Sequence, residues 1–555
     1  MARAERKAAA AESAKTGVMT KRQIQFVLIG LMAGMFLSAL DQNVVGSAMR
    51  TIADDLKGLE LQAWATTAYL ITSTISTPIY GKLGDIFGRR RLFISAISIF
   101  IAGSVGAGFA GNMFELAGWR AFQGLGAGGL FSLALTILAD MVPPRERARY
   151  QGIFLAVFGT SSVIGPLVGG LFADIDSFLF VEGWRWVFLI NFPIGILALM
   201  AVVAFLHVPH TPRKSRIDWW GAVTIILGVV PFLLVAEQGR EWGWTSALTL
   251  GLIALGVVGI VSFVIIERKM GEDALLPLSL FKSSTFSTST VLGVIVGVGM
   301  FGGMMTVPLL LQIVQGATPT EAGLQMLPMV LGMMIATTVS GQVTSRTGKY
   351  KMFLIIGTGL LTSAYVYMSQ MTASWTYWQL AGGMLLMGLG LGQLFQTLTV
   401  AAQNAVAARN IGVATASTTF FRQIGGTVGV AVFLSMLFTA LADRGEKIAA
   451  EIGAVIQANP DIMKLPENAI LAEAGPSGLA DLVNTDSSFL NTISPEIARP
   501  ILVAFTESAV TVFNTAAVVT AIAFVISFFV KEVELKKTSG FQAVAEENAE
   551  VAAPH

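Results

Sequence analysis

Hydrophobic residues along most of this chain form long runs with few polar interruptions, and charged residues collect in the short segments between the runs. A helix needs about 20 mostly apolar residues to cross the hydrocarbon core of a membrane. The number of such runs is even, which predicts that both ends of the chain lie on one side. The runs predict about fourteen membrane-spanning helices, at 24–48, 61–80, 92–111, 116–138, 150–172, 186–206, 218–236, 247–266, 285–311, 321–343, 352–370, 377–401, 411–438 and 504–530.

The composition supports a membrane protein. Hydrophobic residues make up 54% of the 555 residues and charged residues only 13%, whereas soluble globular chains carry about 25% charged residues. This deficit excludes a water-soluble multidomain enzyme, a disordered chain and a basic nucleic-acid-binding protein. The chain has no cysteine and three histidines. We therefore expect no cysteine- or histidine-based catalytic centre, no metal site and no enzyme activity.

Basic residues in the short connections set the predicted orientation. Lys and Arg are concentrated in alternate connections, and the cytoplasmic loops of membrane proteins carry this excess. We therefore expect a multi-pass protein of the cell membrane, a bacterial plasma membrane, with both termini in the cytoplasm. The basic clusters are Arg89, Arg90 and Arg91; Arg145, Arg147 and Arg149; Arg213, Lys214 and Arg216; Arg268 and Lys269; and Arg346, Lys349 and Lys351.

An internal repeat relates the two halves of the chain. Residues 81–91 match residues 341–351, which lie 260 residues later, and residues 124–131 match residues 388–395, which lie 264 residues later. Repeats of this kind are typical of secondary transporters, whose substrate site lies near the membrane midplane between the halves. The predicted fold class is an all-α membrane protein of two six-helix bundles with two extra helices between them.

The distance between the matching segments defines the predicted domains, because two extra helices between the bundles account for it. The predicted units are a cytoplasmic N-terminal tail at 1–23, a first bundle at 24–206, a linker with two extra helices at 207–284, a second bundle at 285–530 that includes an outer loop at 440–503, and a cytoplasmic C-terminal tail at 531–555.

The energy source is indicated by a motif that the sequence lacks. No segment follows the pattern G-x-x-x-x-G-K-[ST], which binds the phosphates of ATP. The glycines at 124–129 lie inside an apolar run and are typical of close helix packing. We therefore expect transport to be driven by an ion or substrate gradient, such as a proton gradient, without a cofactor.

Three charged residues lie inside predicted spans, where a charge is costly unless it is paired or hydrated and therefore indicates function. Asp41 lies in the outer half of the first span, and a carboxyl group near a low-dielectric medium binds its proton more tightly than in water. Arg120 lies in the outer half of the fourth span with Gln123 on the same face, and Arg422 lies near the middle of the thirteenth. The sequence leaves open whether Asp41 pairs with Arg120 or Arg422, or whether Asp41 and Arg120 lie at the outer interface.

Several motifs together resemble those of the major facilitator superfamily, in particular its fourteen-span drug:proton antiporters. The resemblance covers nearly the whole chain except the outer loop and the tails. The matching segments are residues 40–45 in the first span, 81–91 between the second and third, 120–126 in the fourth, 165–170 in the fifth and 184–193 at the start of the sixth.

The resemblance implies alternating access, with export of drugs or other lipophilic molecules coupled to proton entry. It implies that Asp41 is the protonatable carboxylate and Arg120 the proton-relay arginine, and we add Arg422 to this proton-coupling set. It also implies a cytoplasmic charge latch formed by Asp85 with Gly81, Gly88 and Arg89, and an antiporter motif formed by Gly165, Pro166, Gly169 and Gly170.

Three positions depart from the family pattern. Ser345 stands in the second loop copy where the first has Asp85, so we expect an asymmetric latch. Ser161 stands where the fifth-helix motif usually has another glycine, so helix packing there is expected to be looser. Asn43 stands where the first-helix motif often has threonine, so the fine tuning of the proton site is expected to differ.

The substrate pocket is predicted from polar and adaptable apolar residues, because a site for varied lipophilic molecules needs flexible apolar walls with few polar anchors. The chain has 23 Met and 35 Phe residues. Ordinary helix packing or lipid contact is the alternative interpretation for most of these positions. A cationic substrate would favour Asp41 and an anionic one Arg422, which the sequence leaves open. The candidate pocket residues are Asn43, Gln123, Met304, Gln393, Phe395 and Gln396.

The sequence therefore predicts a proton-coupled exporter of drugs or other lipophilic small molecules that acts as a monomer in the lipid bilayer. The alternative is export of a native envelope lipid, metabolite or siderophore by the same machinery. The outer loop at 440–503 is either an ordinary external loop or a lid or docking surface for a partner. A membrane-embedded enzyme or receptor is disfavoured, because it would need a catalytic cluster or a soluble signalling domain.

Overall fold

The computed structural model describes residues 21–58, 61–173, 175–206, 216–465, 468, 490, 493–536, 538–540 and 542–543. These residues are almost entirely α-helical, and a short hairpin pairs β1 (Ser177–Phe178) with β2 (Val181–Glu182). The α-helices are α1 (Lys21–Asp55), α2 (Gln62–Phe87), α3 (Arg89–Gly108), α4 (Met113–Met141), α5 (Pro144–Ala173), α6 (Trp186–Leu189), α7 (Asn191–Phe205), α8 (Trp219–Trp242), α9 (Ala247–Met270), α10 (Ser284–Ile313), α11 (Pro319–Gln325), α12 (Leu327–Thr347), α13 (Lys351–Met368), α14 (Tyr377–Asn404), α15 (Ile411–Ala442), α16 (Gly445–Ala458) and α17 (Pro495–Phe528).

The long helices coincide with the predicted membrane spans. Twelve helices in the described part of the chain are long and apolar enough to cross a membrane. The second and fifth predicted spans also fall on helices, α2 and α5, which are not among the twelve. The all-α membrane class is therefore confirmed, and the number fourteen is compatible with the structure but stays a prediction.

Short polar side chains begin several of these helices by accepting hydrogen bonds from the first free backbone N–H groups. Asn112 accepts from the backbone of the third residue of α4, and Asp218 does the same for α8. Thr318 forms a reciprocal capping box with Glu321 at the start of α11. These caps fix where the apolar runs enter helical structure.

The helices pack into two groups that correspond to the two halves of the chain. In the first group α4 packs against α2 and α3, and α1 packs against α5 and α7. In the second group α14 packs against α12 and α13, and α10 packs against α15 and α17. Each group has its own apolar core, with Phe93 and Phe100 in the first and Phe505 and Phe513 in the second.

Matching glycines show that the repeat extends to helix packing. Gly165 and Gly169 on α5 lie against the backbone of α1, and Gly425 and Gly429 on α15 lie against the backbone of α10. A Cβ at any of these four positions would overlap the neighbouring helix. Since the pairs are 260 residues apart, α1 with α5 and α10 with α15 are equivalent close-packed pairs.

The two groups meet mainly along two helix pairs, α2 with α15 and α5 with α12, and α4 with α15 and α5 with α14 add smaller contacts. The helices between the halves, α8 and α9, form a hairpin, and α8 also contacts α2 and α15. The extra hairpin therefore lies against one side of the junction between the two groups.

The outer loop is described only in part. Its first segment forms α16, which packs against α17. Arg444, just before α16, lies 3.2 Å from a carboxylate oxygen of Glu507 on α17. A 3-10 turn at Pro460–Lys464 follows α16. Of the predicted lid or docking segment after it, residues 466–467, 469–489 and 491–492 lie outside the described residues.

Candidate transport site

Asp41 on α1 is held by donors from two other helices of the first group and is 0% exposed. Nη1 of Arg120 lies 2.5 Å from Oδ2 of Asp41. Nε2 of Gln123 and Nδ2 of Asn191 donate to Oδ1 at 2.9 and 2.7 Å. Because three donors from α4 and α7 point at one carboxylate, its negative charge is well stabilised in this conformation.

The positive charge of Arg120 is stabilised by contacts on more than one side, and the residue is 1% exposed. Its Nη1 also donates to Oε1 of Gln123 at 2.7 Å, and its guanidinium carbon lies 4.1 Å from the centre of the Tyr69 ring. The open question of pairing is thereby answered, since Asp41 pairs with Arg120. Both side chains are enclosed, so neither one extends to the outer surface.

This arrangement can couple proton binding to helix position. The network holds one negative and one positive charge in a water-poor interior, where each charge depends on the other. A proton added to Asp41 would cancel its attraction for Arg120 and weaken the bonds from Gln123 and Asn191. The positions of α1, α4 and α7 are therefore linked to the charge of a single carboxyl group.

Asn191 and Tyr69 complete the network but were not among the predicted site residues. Nδ2 of Asn191 donates to Oγ of Ser104 at 2.9 Å as well as to Asp41, which ties α3 to α7. Asn191 is fully buried within an apolar run, and a polar amide at such a place is itself a signal of function. Tyr69 carried no comparable signal, because an aromatic ring is ordinary in a membrane helix.

Arg422 lies on α15 in the second group and is 4% exposed. Its guanidinium carbon lies 3.9 Å from the centre of the Phe395 ring. Among the described residues no carboxylate lies close enough to form an ion pair with it. The neighbouring Gln423 reaches across to Thr77 on α2, with 3.4 Å between Oε1 and Oγ1. Arg422 therefore lies near the junction of the two groups without a counterion from the described chain.

The predicted latch residues meet at the ends of α2 and α4. Arg89 forms an ion pair with Asp85, and its Nε lies 2.6 Å from Oδ2 of Asp140. All three side chains are almost fully buried. Asp140 was not predicted, because its place at the end of an apolar run gave no indication of its partner. The latch in the first loop is thus one arginine between two carboxylates.

The same latch touches the beginning of α15 in the second group. The Asp85 carboxylate lies against the first turn of α15, so close that a Cβ on Gly412 would overlap it. The free backbone N–H groups at the start of a helix favour a negative charge at this place. Gly81 lies against the carbonyl of Gly412 and leaves no room for a side chain. Gly88 separates α2 from α3 at φ 93°, a backbone conformation that favours glycine.

The second loop copy is held differently. Oγ of Ser345 donates to the carbonyl of Gln342 in its own helix at 2.9 Å. A carboxylate is supplied instead by Glu532, whose Oε1 accepts from the backbone N–H groups of Tyr350 and Lys351 at 3.0 and 3.3 Å. The expected asymmetry of the two loops is therefore present, and the segment after α17 provides the acid that the second loop lacks.

The segment after α17 continues across the end of the second group. Nζ of Lys536 donates to the carbonyl of Val406 at 2.8 Å, and its backbone N–H donates to Oδ1 of Asn404 at 3.1 Å. Burial lowers the pKa of the Lys536 ammonium, and the nearby guanidinium of Arg147 lowers it further. Nη1 of Arg147 also donates to Oε1 of Gln403 at 2.9 Å and so joins α5 to α14.

The candidate pocket residues fall in different places. Gln123 belongs to the Asp41 network. Asn43 donates to the carbonyl of Ala39 at 2.8 Å and lies against Gly165, so it is part of the α1–α5 packing. Met304 is partly buried against the apolar core of the second group. The structure therefore does not bring these three side chains together in one pocket.

The three candidates on α14 lie closer to the junction. Phe395 makes an edge contact with Phe131 of α4, with ring centres 6.1 Å apart. Gln393 and Gln396 are buried on the same helix. Within the described residues, Oε1 of Gln393 has no hydrogen-bond partner. Phe395 is thus the predicted pocket residue that contacts both the other group and Arg422.

The antiporter motif contributes close helix packing. Gly165 and Gly169 face α1, whereas Gly170 faces open space and Pro166 lies inside α5 near Gly323 of α11. Ser161, the residue that departs from the family pattern, is fully buried. Two of the four motif residues therefore position α5, and with it the junction to α12, relative to α1.

One further pair of buried carboxyl groups lies at the ends of the extra hairpin. Oδ1 of Asp218 accepts from Gly221 N–H at 2.6 Å, and Oε2 of Glu267 accepts from Leu276 N–H at 2.8 Å. In the described ranges, no group of three or more His, Asp or Glu side chains could hold a metal ion. This pair anchors the hairpin to the segment that follows it.

Known proteins are similar to this chain in sequence and in fold. The family model of the Major Facilitator Superfamily matches residues 31–430. The chain is 34% identical over 534 residues to "Multidrug transporter protein MdtP" of Bacillus subtilis (strain 168), with 94% of this chain and 95% of that protein covered. It is also 34% identical over 410 residues to "Multidrug resistance protein 3" of the same organism, with 74% and 78% covered.

Solved structures show the same fold at lower sequence similarity. The proton:xylose symporter XylE superposes with a TM-score of 0.56 at 15% identity and covers 94% of this chain and 99% of that one. At this identity the likeness concerns the fold alone. Since the family model matches most of the chain and both Bacillus relatives cover more than two thirds of it, this chain belongs to the drug transporters of the Major Facilitator Superfamily.

Proposed function

We propose that this protein exports lipophilic small molecules across the cell membrane in exchange for protons. The observation that carries the proposal is the buried network in which the Asp41 carboxylate accepts hydrogen bonds from Arg120, Gln123 and Asn191. A titratable group enclosed in a membrane helix bundle, with its counterion on another helix, is suited to couple proton movement to conformation.

The proposed cycle begins with Asp41 ionised and paired with Arg120. A proton arriving from outside neutralises the carboxylate, and Arg120 then loses its main electrostatic partner. The rearranged α1, α4 and α7 favour the conformation that opens to the cytoplasm, where the proton leaves and substrate enters. Return of the negative charge restores the pair with Arg120 and drives the substrate outward.

The latch supports the direction of this cycle. Asp85, Arg89 and Asp140 join the first group to the beginning of α15. Arg147 and Gln403 make a second connection nearby. These contacts lie in the basic loops that the charge distribution predicts to be cytoplasmic. Because these contacts hold the two groups together on that side, they support a resting state that is open to the outside.

The relatives support export of drug-like compounds, since two of them are named as a multidrug transporter and a multidrug resistance protein. The basic loops support an orientation with both termini in the cytoplasm. A single chain contains both repeats and the complete Asp41 network, which supports action as a monomer. Proton exchange itself is the part of the proposal that needs direct measurement.

The test measures proton flux in proteoliposomes that contain a pH-sensitive dye. The probes are dansylaminoundecanoate, its primary amide and the corresponding dansyl amine, so that anionic, neutral and cationic members of one series are compared. We expect at least one probe to cause proton movement with the wild type. We expect Asp41→Asn to reduce this flux to the level of protein-free liposomes, because the variant cannot bind the proton.

Asp54→Asn is the matched control, since Asp54 lies on the same helix and is exposed. It is expected to retain the wild-type flux. Equal coupled flux in Asp41→Asn and the wild type would refute the proton role of Asp41. Flux with an extracted envelope lipid, but with none of the three probes, would replace drug export by the alternative of native lipid export.

A further inference from the structure

Arg422 is a buried charge whose counterion is missing from the described chain. It lies near the middle of the predicted thirteenth span, is 4% exposed, and makes neither a hydrogen bond nor an ion pair with any described residue. A guanidinium stays charged at all physiological pH values, so it cannot escape the cost of burial by losing its proton. Such a group needs a partner that the described residues do not supply.

The acids of the protein interior are already engaged elsewhere. Asp41 is neutralised by Arg120, and Asp85 and Asp140 share Arg89. In the described residues the other two buried acids, Asp218 and Glu267, lie at the ends of the extra hairpin and bind backbone N–H groups there. None of these buried acids therefore compensates the charge of Arg422.

The surroundings of Arg422 are aromatic. Its guanidinium lies over the face of Phe395 at 3.9 Å, and Phe395 touches Phe131 of the other group. A guanidinium that lies over a ring is stabilised by the ring, while its N–H groups, which lie in its own plane, remain available to an oxyanion. Both phenylalanines are only partly buried, although they lie at the junction of the two groups. The positive charge of Arg422 is thus adjacent to the apolar surface of Phe395 and Phe131.

We propose that Arg422 binds the negative charge of the exported molecule, so that the preferred substrate is a lipophilic anion such as a carboxylate. This inference rests on the proposed export function and specifies its substrate class. The planar guanidinium matches a carboxylate with two parallel hydrogen bonds. The apolar body of the substrate lies against Phe395 and Phe131. A cationic molecule of the same shape is repelled.

Binding is tested on the purified full-length protein in a neutral detergent, by the change in dansyl fluorescence. Dansylaminoundecanoate is compared with its primary amide and with the dansyl amine, which differ from it only in the charge of the head group. We expect the carboxylate to bind the wild type about tenfold or more tightly than the amide, as a buried hydrogen bond to a charged group allows. We expect the amine to bind most weakly.

Variants of Arg422 assign this preference to one side chain. Arg422→Gln is expected to bind the carboxylate and the amide equally, whereas Arg422→Lys keeps the charge and retains a reduced preference for the carboxylate. Arg499→Gln is the control, because Arg499 is exposed on α17. It is expected to behave as the wild type does.

The outcomes separate this inference from the proposed function. Equal affinity of the wild type for carboxylate and amide overturns the anion site even if proton-coupled export is observed. A preference that persists in Arg422→Gln also overturns it. Carboxylate binding that depends on Arg422, without any proton flux, supports the anion site and counts against the proposed antiport alone.

The anion could belong to a small molecule or to a lipid head group, and competition distinguishes the two. Phosphatidylglycerol is added to the protein with bound dansylaminoundecanoate. Displacement by this lipid in the wild type, and not in Arg422→Gln, assigns the site to an anionic lipid. No displacement assigns it to a smaller lipophilic carboxylate.

Discussion

Arg120 in the first half and Arg422 in the second are both almost fully buried, at 1% and 4% exposure, but their surroundings differ. Arg120 bonds to Asp41 and Gln123 and lies over Tyr69. The guanidinium of Arg422 lies over the face of Phe395 and forms no hydrogen bond or ion pair with the described residues. The first arginine has its counterion within the protein, whereas the second has none among the described residues and is the proposed site of the substrate anion.

The repeat sharpens this difference. At the offsets of the matching segments, Arg120 is equivalent to Met384 and Arg422 to Ser162. Met384 is buried in the second apolar core, and Oγ of Ser162 donates to a carbonyl of its own helix. The backbone packing is therefore duplicated and the charges are not. One half holds the Asp41 network, and the other holds the guanidinium of Arg422, which has no counterion among the described residues.

The largest expected effect comes from breaking the paired arginine. Arg120→Gln should lower the free energy of unfolding by about 3–5 kcal/mol, because it leaves the buried Asp41 carboxylate without its cation. The measurement is thermal or chemical unfolding of the detergent-solubilised protein at neutral pH. In the double variant Asp41→Asn with Arg120→Gln, which removes both charges, we expect much of this loss to be recovered. Additive losses would show that the pair is not coupled.

A smaller effect is expected from the aromatic contact of the unpaired arginine. Phe395→Leu should cost about 1–2 kcal/mol, since it removes both the ring over which Arg422 lies and the contact with Phe131. Phe131→Leu is the matched control, because it removes the ring pair and leaves the cation contact, and it should cost less. Equal losses in unfolding experiments would mean that the guanidinium gains nothing from Phe395.

The smallest effect is expected from the unpaired arginine itself. Arg422→Gln should change the unfolding free energy by about 1 kcal/mol or less in either direction, because it removes a buried charge without stranding a partner. Comparison with Arg120→Gln under the same conditions checks this. A loss as large as that of Arg120→Gln would reveal a counterion outside the described residues and would end the contrast between the two arginines.

Much of the architecture could be predicted, because a membrane constrains sequence strongly. Long apolar runs gave the helices, and the glycine matches at 81–91 and 124–131 gave the repeat. A charge in an apolar run is so costly that Asp41, Arg120 and Arg422 could be singled out without an alignment. The prediction located these charges, but it left their pairing open.

The rest depended on tertiary contacts that no local pattern encodes. Asn191 reaches Asp41 from a helix 150 positions away, and Asp140 reaches Arg89 across the bundle. Asn43 was predicted for the pocket but packs against Gly165, since helix rotation decides which side of a span faces a neighbour. Glu532 supplies the acid that the second loop lacks, and it lies in a segment that was predicted only as a tail.

Phe131 and Phe395 occupy equivalent positions in the two repeats and touch each other. In a dimer with two-fold symmetry, a residue meets its own counterpart only on the axis. This contact therefore marks the axis of what is, in effect, a fused dimer. A true dimer would present the same side chain to a central ligand from both sides. Here Arg422 lies in one copy alone, so at the proposed anion site a fused, pseudo-symmetric scaffold holds its ligand in a single orientation.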